Sequence, residues 1–198
     1  MKTVTGLFDT YDAAKSAVAQ LEALGVPSDD ISIVSNNAAQ QHHDNNNNTA
    51  EGAGTGAGIG ALAGGAGGLL TGLGIIAIPG VGPVVAAGWL AATLAGIAAG
   101  AVVGGAAGGV VGALTESGVP EEDAHVYAEG VRRGGSLVTA RVDNAFAQRA
   151  EDILDRSERV VPSVRRASYA EGGWTRFDDT LDPYTQLKMD EENRRINS

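Results

Sequence analysis

Both ends of the chain carry short apolar runs with the spacing of strands and helices. Residues 3–8 are apolar or β-branched and predict a strand. Behind Thr10, a predicted N-cap, apolar residues recur at helical spacing as far as Leu24. Residues 31–34 predict a second strand. The first 35 residues therefore predict a βαβ unit with parallel strands.

The second half of the chain resumes this alternation at residue 118. A helix is predicted after Pro120 and a strand over residues 137–142. A further helix is predicted around Ile153, and an edge strand, interrupted by proline, over residues 160–164. The order in this half is therefore αβαβ.

These two halves together predict an α+β fold. Residues 1–35 and 118–166 would form one discontinuous ferredoxin-like domain of order βαβ…αβαβ. Residues 36–51 predict a polar low-complexity linker, because they hold too little apolar surface to fold alone. Residues 52–117 form an apolar insertion, and residues 167–198 form a polar C-terminal tail.

The insertion is uncharged and carries small residues at every fourth position. No Asp, Glu, Lys or Arg lies between Glu51 and Glu116, a stretch of 64 residues. Residues four apart lie along one ridge of an α-helix, so this spacing predicts two helices with grooves where another backbone packs closely. This double glycine zipper has the contact positions Gly52, Gly56, Gly60, Gly64, Gly68, Gly72, Gly88, Ala92, Gly96, Gly100, Gly104, Gly108 and Gly112. The two arms of the predicted helical hairpin are joined by a turn containing Pro79, Gly80, Gly82 and Pro83.

The apolar hairpin needs a cover, because monomeric proteins rarely expose so large a contiguous apolar surface. As helices, residues 52–77 and 84–115 would span about 39 and 48 Å, more than the ~30 Å hydrocarbon core of a bilayer. Three arrangements stay open: insertion into a membrane, packing against other copies in a soluble oligomer, and burial against the chain's own sheet. The expected partner is the protein itself, with a lipid bilayer as a further partner in the first case. The expected locations are a membrane with a cytoplasmic α+β domain, or the cytoplasm as a soluble oligomer.

Charge and composition narrow the function. The chain has 24 acidic and 14 basic residues, a net charge of −10. This balance argues against general binding of nucleic acid, since polyanions recruit Lys and Arg. The chain has no cysteine, which excludes disulfides, thiolate catalysis and cysteine-ligated zinc.

No group of residues has the spacing of a catalytic, cofactor or metal site. His42, His43 and Asp44 are adjacent in the polar linker and lack the spacing of metal ligands. His125 has neither a cysteine partner nor a serine motif around it. The other charged groups are interpreted as acids that complement a helix dipole and as arginines in solvated ion pairs: Glu121, Glu122 and Asp123, and Arg132, Arg133, Arg165 and Arg166. We therefore expect no enzyme activity, no cofactor and no metal.

Several segments resemble a bacterial stress-protein family. Gly-Leu-Phe-Asp-Thr-Tyr-Asp-Ala-Ala at residues 6–14 opens the βαβ unit, and Ile-Ser-Ile-Val at residues 31–34 closes it. The segments at residues 78–84, 118–124 and 129–135 fit as well. The chain is thus similar, up to about residue 165, to the general stress protein 17M-like and low-temperature-induced proteins. The resemblance implies stress or cold induction and a ferredoxin-like fold interrupted by an apolar helical hairpin, and it brings no catalytic residues.

The function expected from these observations is that of a non-enzymatic stress-response protein. It would self-associate through its glycine-zipper helices, either at a membrane or as a soluble scaffold with the hairpins as its core. A ligand-sensing role of the α+β domain is compatible with either arrangement, and no residue pattern identifies a ligand.

Replacing a glycine on the contact ridge by leucine tests the zipper. Gly64→Leu or Gly104→Leu places a bulky side chain where another helix backbone would pack. We expect each variant to form a smaller assembly because of the steric clash. Size-exclusion chromatography with light scattering measures the size, and an oligomer of unchanged size in both variants would rule out the zipper as the contact.

Overall fold

The computed structural model describes residues 1–36, 74–78, 80–98 and 109–196. Within these ranges the chain forms a five-stranded sheet with helices on both faces. The strands are β1 Lys2–Phe8, β2 Ile31–Asn36, β3 Gly74–Ile78, β4 Gly82–Ala87 and β5 Ser136–Val142. The helices are α1 Tyr11–Ala23, α2 Trp89–Ala98, α3 Gly109–Glu116, α4 Glu121–Arg132, α5 Ala147–Arg156, α6 Pro162–Glu171 and α7 Gln186–Ile196. The predicted α+β class is confirmed.

Apart from the edge strand at residues 160–164, the elements predicted from the two ends of the chain are confirmed with small shifts in their bounds. Thr10 caps α1, since its Oγ1 accepts a hydrogen bond from the Ala13 N–H at 3.2 Å. Gly25 follows the helix with a φ of +96°, the left-handed conformation that ends many helices. Pro120 precedes α4, whose first turn holds three acidic residues.

The sheet order is β1-β5-β2-β4-β3, and every neighbouring pair is antiparallel. The predicted parallel pairing of β1 with β2 is wrong. These two strands run in the same direction, but β5 lies between them, and Thr139 of β5 is opposite both Thr5 and Ser32. A βαβ pattern predicts the direction of two strands and not the strand that separates them. The ferredoxin-like topology is not confirmed, because the β3–β4 hairpin extends the sheet beyond β2.

Helices cover both faces of the sheet, so its inner strands are apolar on both sides. On one face α1 and α5 pack on side chains that include Phe8, Ile33 and Val138. On the other face α2, α3 and α4 pack on neighbouring positions that include Leu7 and Val34. Burial of a large aliphatic or aromatic side chain contributes roughly 1.5–3 kcal/mol, so these two layers supply much of the stability of the fold.

The segment predicted to contain the ends of two long helices is a β-hairpin. Residues 74–78 and 82–87 pair as β3 and β4 in an unbroken register from Gly74 opposite Ala86 to Ile78 opposite Gly82. The helical prediction fails here because Ile-Ile and Val-Val pairs favour extended backbone. In the second arm, Trp89–Ala98 and Gly109–Glu116 are helical, as α2 and α3. Residues 52–73 and 99–108 lie outside the described ranges.

The predicted edge strand at residues 160–164 is reduced to one backbone contact. The Val160 N–H donates to the Leu7 carbonyl of β1 at 2.7 Å, and α6 then begins at Pro162. Proline is favoured in the first turn of a helix because its fixed φ suits the helix and the N–H that it lacks would have no helical partner. The proline that was expected to interrupt a strand therefore starts a helix.

Substitution by alanine is expected to change the free energy of unfolding in opposite directions at two glycines of the predicted zipper ridge. Gly88 has a φ of +87°, and a Cβ there would lie 2.0 Å from the Ile31 carbonyl oxygen. We expect Gly88→Ala to lower the free energy of unfolding by at least about 2 kcal/mol, through strain and clash. Urea denaturation measures the change.

Gly96→Ala, within α2, is the control for Gly88, which directly precedes that helix. Outside the backbone of α2 itself, no atom of the described residues lies within 4 Å of a Cβ at Gly96. Alanine should therefore raise the free energy of unfolding by up to about 1 kcal/mol through its higher helix propensity. Equal effects of the two substitutions would contradict the position of Gly88 against β2.

Candidate functional site

The residues predicted to mediate contacts lie in three different surroundings. Ten of them fall outside the described residues: Gly52, Gly56, Gly60, Gly64, Gly68, Gly72, Pro79, Gly100, Gly104 and Gly108. Gly80, Gly82 and Pro83 lie in and after the turn of the β3–β4 hairpin. The others lie at the start of α2, within α2 and within α3: Gly88, Ala92, Gly96 and Gly112.

Where the structure describes the zipper positions, they do not share one contact face. Gly88 lies against β2, while Ala92 is exposed and Gly96 has open space around its Cα. Gly112 is half-buried in α3, and its carbonyl accepts a hydrogen bond from Thr115 Oγ1 at 2.9 Å. These four positions therefore do not form one ridge in contact with another described helix, and the zipper as a whole stays a prediction because residues 99–108 lie outside the described ranges.

The hairpin turn needs its glycines for two reasons. Gly80 and Gly82 have φ values of +73° and +96°, which glycine adopts without strain. The C-terminal part of the chain also passes directly over them. A Cβ at Gly80 would lie 2.5 Å from the Asp179 Cα, and a Cβ at Gly82 would lie 2.9 Å from the Pro183 Cβ. The turn is therefore a docking point for a distant segment of the same chain.

That segment, residues 177–192, is here named the C-terminal strap. It begins at Phe177, whose side chain is buried in the same core layer as the hairpin residue Val81. After crossing the hairpin turn it reaches the end of α4, where Met189 is buried and packs near Gly134. The strap therefore connects the hairpin with the end of α4, although its sequence is polar.

The strap is held at α4 by a buried group of charges and rings. Arg133 Nε donates to Glu129 Oε1 at 2.6 Å, and Arg133 Nη1 donates to Glu192 Oε1 at 2.8 Å. The guanidinium also lies 4.0 Å from the centre of the Tyr169 ring. A second guanidinium, that of Arg132, lies 4.9 Å from the ring of Tyr184. We call Glu129, Arg132, Arg133, Tyr169, Tyr184 and Glu192 the arginine cluster.

Burial and ion pairing set the ionisation of this cluster. Burial opposes the charge of Glu192 most strongly, but hydrogen bonds from Arg195 and Arg133 outweigh it, and the pKa of Glu192 is lowered. For Tyr169 burial dominates and raises the pKa to about 12. Arg132 Nη1 also donates to the fully buried Glu129, at 3.2 Å to Oε2. The interpretation of Arg132 and Arg133 as solvated ion pairs is therefore wrong: both are paired, Arg132 is buried, and the Arg133 side chain is only 11% exposed.

The other candidate charged groups form ion pairs nearer the surface. Arg165 binds both carboxylate oxygens of Asp9, at 2.7 and 2.8 Å. Arg166 binds Glu122 at 2.9 Å and Asp123 at 2.8 Å. These pairs join α6 to the start of α1 and to the first turn of α4. Glu122 and Asp123 thus connect two helices in addition to complementing the dipole of one.

An open cleft of about 510 Å³ lies between the first turn of α4 and the segment after α6. His125, Arg166, Trp174 and Arg176 are among the residues that line it. Glu121 and Glu122 line it as well, so its charges are balanced and favour neither an anion nor a cation. His42, His43 and Asp44 lie outside the described residues. Within the described ranges no three His, Asp or Glu side chains are placed to hold a metal ion.

The hairpin also provides the edge of the sheet. β3 pairs only with β4 in the described part of the chain, and most of its residues are exposed. Ile75 retains 65% of its accessible surface, although it lies in the uncharged stretch. Among the described helices, none has the length and apolar character needed to cross a bilayer.

A double-mutant cycle on Arg133 and Glu192 tests whether the arginine cluster holds the strap. Both side chains are nearly buried, so we expect Arg133→Gln and Glu192→Gln to be coupled by about 1–2 kcal/mol in unfolding free energy. Glu121→Gln, at an 80% exposed side chain, is the control and should change little. Additive effects of the two substitutions would contradict the contact.

The same pair gives a pH dependence. The folded pKa of Glu192 lies below its ordinary value of 4.5, so its stabilisation is fully present above that value. It is lost as the pH falls through the folded pKa. The difference in stability between the natural chain and Glu192→Gln should therefore be constant from pH 5 to 7 and shrink below 4.5. A difference that grows on acidification would contradict this sign.

Comparison with known proteins identifies one family. Residues 3–78 match the family described as the heat induced stress protein YflT domain. No curated protein and no solved structure matches the chain. The matched residues include β1, α1, β2 and β3, and the match supports a role in the bacterial stress response. Residues 3–78 are therefore similar to a domain of heat-induced stress proteins, in agreement with the resemblance seen in the sequence.

Proposed function

We propose that this protein is a non-enzymatic stress-response protein that acts by associating with further copies of itself. The family match supports the stress-response part of the proposal. The self-association is carried by one observation, the exposed apolar edge of the sheet at β3, where Ile75 is 65% exposed. Unprotected edge strands with large apolar side chains are typical binding surfaces for another protein chain.

The charge distribution directs copies toward this edge. Each copy carries a net charge of −10, so most approaches bring like charges together and are repelled. β3 and β4 lie inside the stretch of 64 residues without any charge. Contact at β3 therefore brings fewer like charges close together than contact elsewhere on the surface, although the net charge of each copy still opposes association.

The described part of the second predicted helical arm, α2 and α3, packs against protein, which argues against contact with lipid. Leu90 and Leu94 of α2 and Val110 and Leu114 of α3 are buried in one core layer with strand residues. α2 has 10 residues, which span about 15 Å, half of the hydrocarbon core of a bilayer. Over these residues the cover is the chain's own sheet, the third of the three arrangements left open by the sequence. Membrane association and the zipper of residues 52–72 stay as the alternative.

Sedimentation velocity over a range of protein and salt concentrations tests the proposal. We expect a reversible increase in size with protein concentration. We also expect association to strengthen from 0.01 to 1 M salt, because the Debye length falls from about 30 to about 3 Å and screens the repulsion between copies. A monomer at every concentration would contradict self-association, and retention in a carbonate-washed membrane pellet would favour bilayer insertion instead.

Ile75→Lys and Val164→Lys form a matched pair for the same measurement. Both positions carry exposed aliphatic side chains, at 65% and 67%, and both substitutions change the net charge by the same amount. We expect Ile75→Lys alone to weaken association, since Val164 lies on α6, away from the hairpin. Equal effects would show that charge, and not the edge of the sheet, controls the size of the particle.

A further inference from the structure

The two edge strands of the sheet, β1 and β3, differ in whether other parts of the chain bind their outward backbone groups. At β1 the Val160 N–H donates to the Leu7 carbonyl at 2.7 Å, and Arg159 Nη1 donates to the Thr5 carbonyl at 3.3 Å. These contacts occupy carbonyl groups that another strand would use. At β3 the described part of the chain places no such partner on the outer side.

The register of the hairpin identifies which groups of β3 face outward. In an antiparallel pair, opposite residues alternate between pairs that exchange two hydrogen bonds and pairs that exchange none. Ala77 is opposite Pro83, which has no N–H, so this pair exchanges none, and the pair of Ile76 with Val84 exchanges two. The N–H and C=O groups of Ile75 and Ala77 therefore point away from β4, toward the free edge.

β3 lacks the features that usually protect an edge strand. Residues 74–78 are Gly-Ile-Ile-Ala-Ile, without charge and without proline. The register with β4 runs without a bulge. Natural proteins prevent edge-to-edge pairing with charged residues, prolines or bulges, so their absence here marks β3 as a strand that pairs.

We propose that β3 pairs antiparallel with β3 of a second copy, with Ile76 on the two-fold axis. Ile75 of each copy then lies opposite Ala77 of the other, and the outward N–H and C=O groups of these residues make four hydrogen bonds. The two sheets join into one of ten strands through an isologous contact. This inference rests on the proposed self-association and specifies its partner and geometry.

The side chains fit this arrangement as well as the backbone. Successive residues of a strand point to opposite faces, so Ile75 and Ala77 share one face and Ile76 lies on the other. Each large Ile75 side chain lies beside the small Ala77 of the other copy, while the two Ile76 side chains meet at the axis. None of the paired residues 74–78 carries a charge, although each copy is strongly acidic.

Ala77→Pro and Ala77→Ser test the hydrogen bonds. Proline removes an outward N–H that β4 does not use, so the fold should persist, while two of the four hydrogen bonds between copies are lost. We expect the dissociation constant of the dimer to rise about tenfold or more for Ala77→Pro and to stay within about threefold for Ala77→Ser, which keeps the N–H. Sedimentation equilibrium measures both constants, and circular dichroism checks that each variant is folded.

A single cysteine tests the geometry independently, because the chain has none of its own. Two Cα atoms of a pair without hydrogen bonds are about 4.5 Å apart, within the range that a disulfide bridges. Ile76→Cys should therefore form a covalent dimer under mild oxidation at least about tenfold faster than Val164→Cys, an exposed control on α6.

The outcomes separate the pairing from the proposed function. The β3 pairing would be overturned if Ala77→Pro associates as the natural chain does and Ile76→Cys cross-links no faster than Val164→Cys. Self-association would then involve another surface. A natural chain that is monomeric at every concentration would overturn both.

Discussion

The antiparallel pairing of β5 with both β1 and β2 is the constraint on which the fold depends. β1 and β2 belong to the first 36 residues, and β5 begins at Ser136. Without β5, β1 and β2 would not be joined in one sheet, and the sheet surface on which α1 and α4 pack would be interrupted. The backbone hydrogen bonds of this central strand therefore unite the residues that match the stress-protein family with residues outside that match.

The C-terminal strap adds a second long-range constraint of a different kind. The arginine cluster places Arg132 and Arg133 around the buried carboxylate of Glu129 and extends to Glu192 of the strap. Buried ion pairs are costly to desolvate, and removal of one partner costs more than the pair contributes. The cluster therefore joins the strap to the end of α4 through charges that each need their partner in place. The strap in turn fits closely over the glycines of the hairpin turn.

Local patterns predicted local structure well and long-range structure poorly. β1, α1 and α4 follow from apolar spacing and from the capping residues Thr10 and Pro120. The position of β5 between two strands leaves no trace in the spacing of residues, and neither does the arginine cluster, whose members come from α4, α6 and the strap. The hairpin was mistaken for helices because glycine at every fourth position suits helix packing, although Ile-Ile and Val-Val favour strands. Gly88 also fits the four-residue spacing, but glycine is needed there for another reason: a side chain would clash with β2.

Because β5 comes late in the chain, it also determines when the sheet can fold during synthesis. Ribosomes add roughly 5–20 residues per second, so β1 is made on the order of ten seconds before its neighbour β5. In that interval the uncharged middle of the chain has been made, while the strand that joins β1 to β2 is missing. Loop closure over such a distance is slow, and exposed apolar chain is prone to aggregate in the meantime. The nascent chain of this protein therefore stays exposed to aggregation until β5 is made.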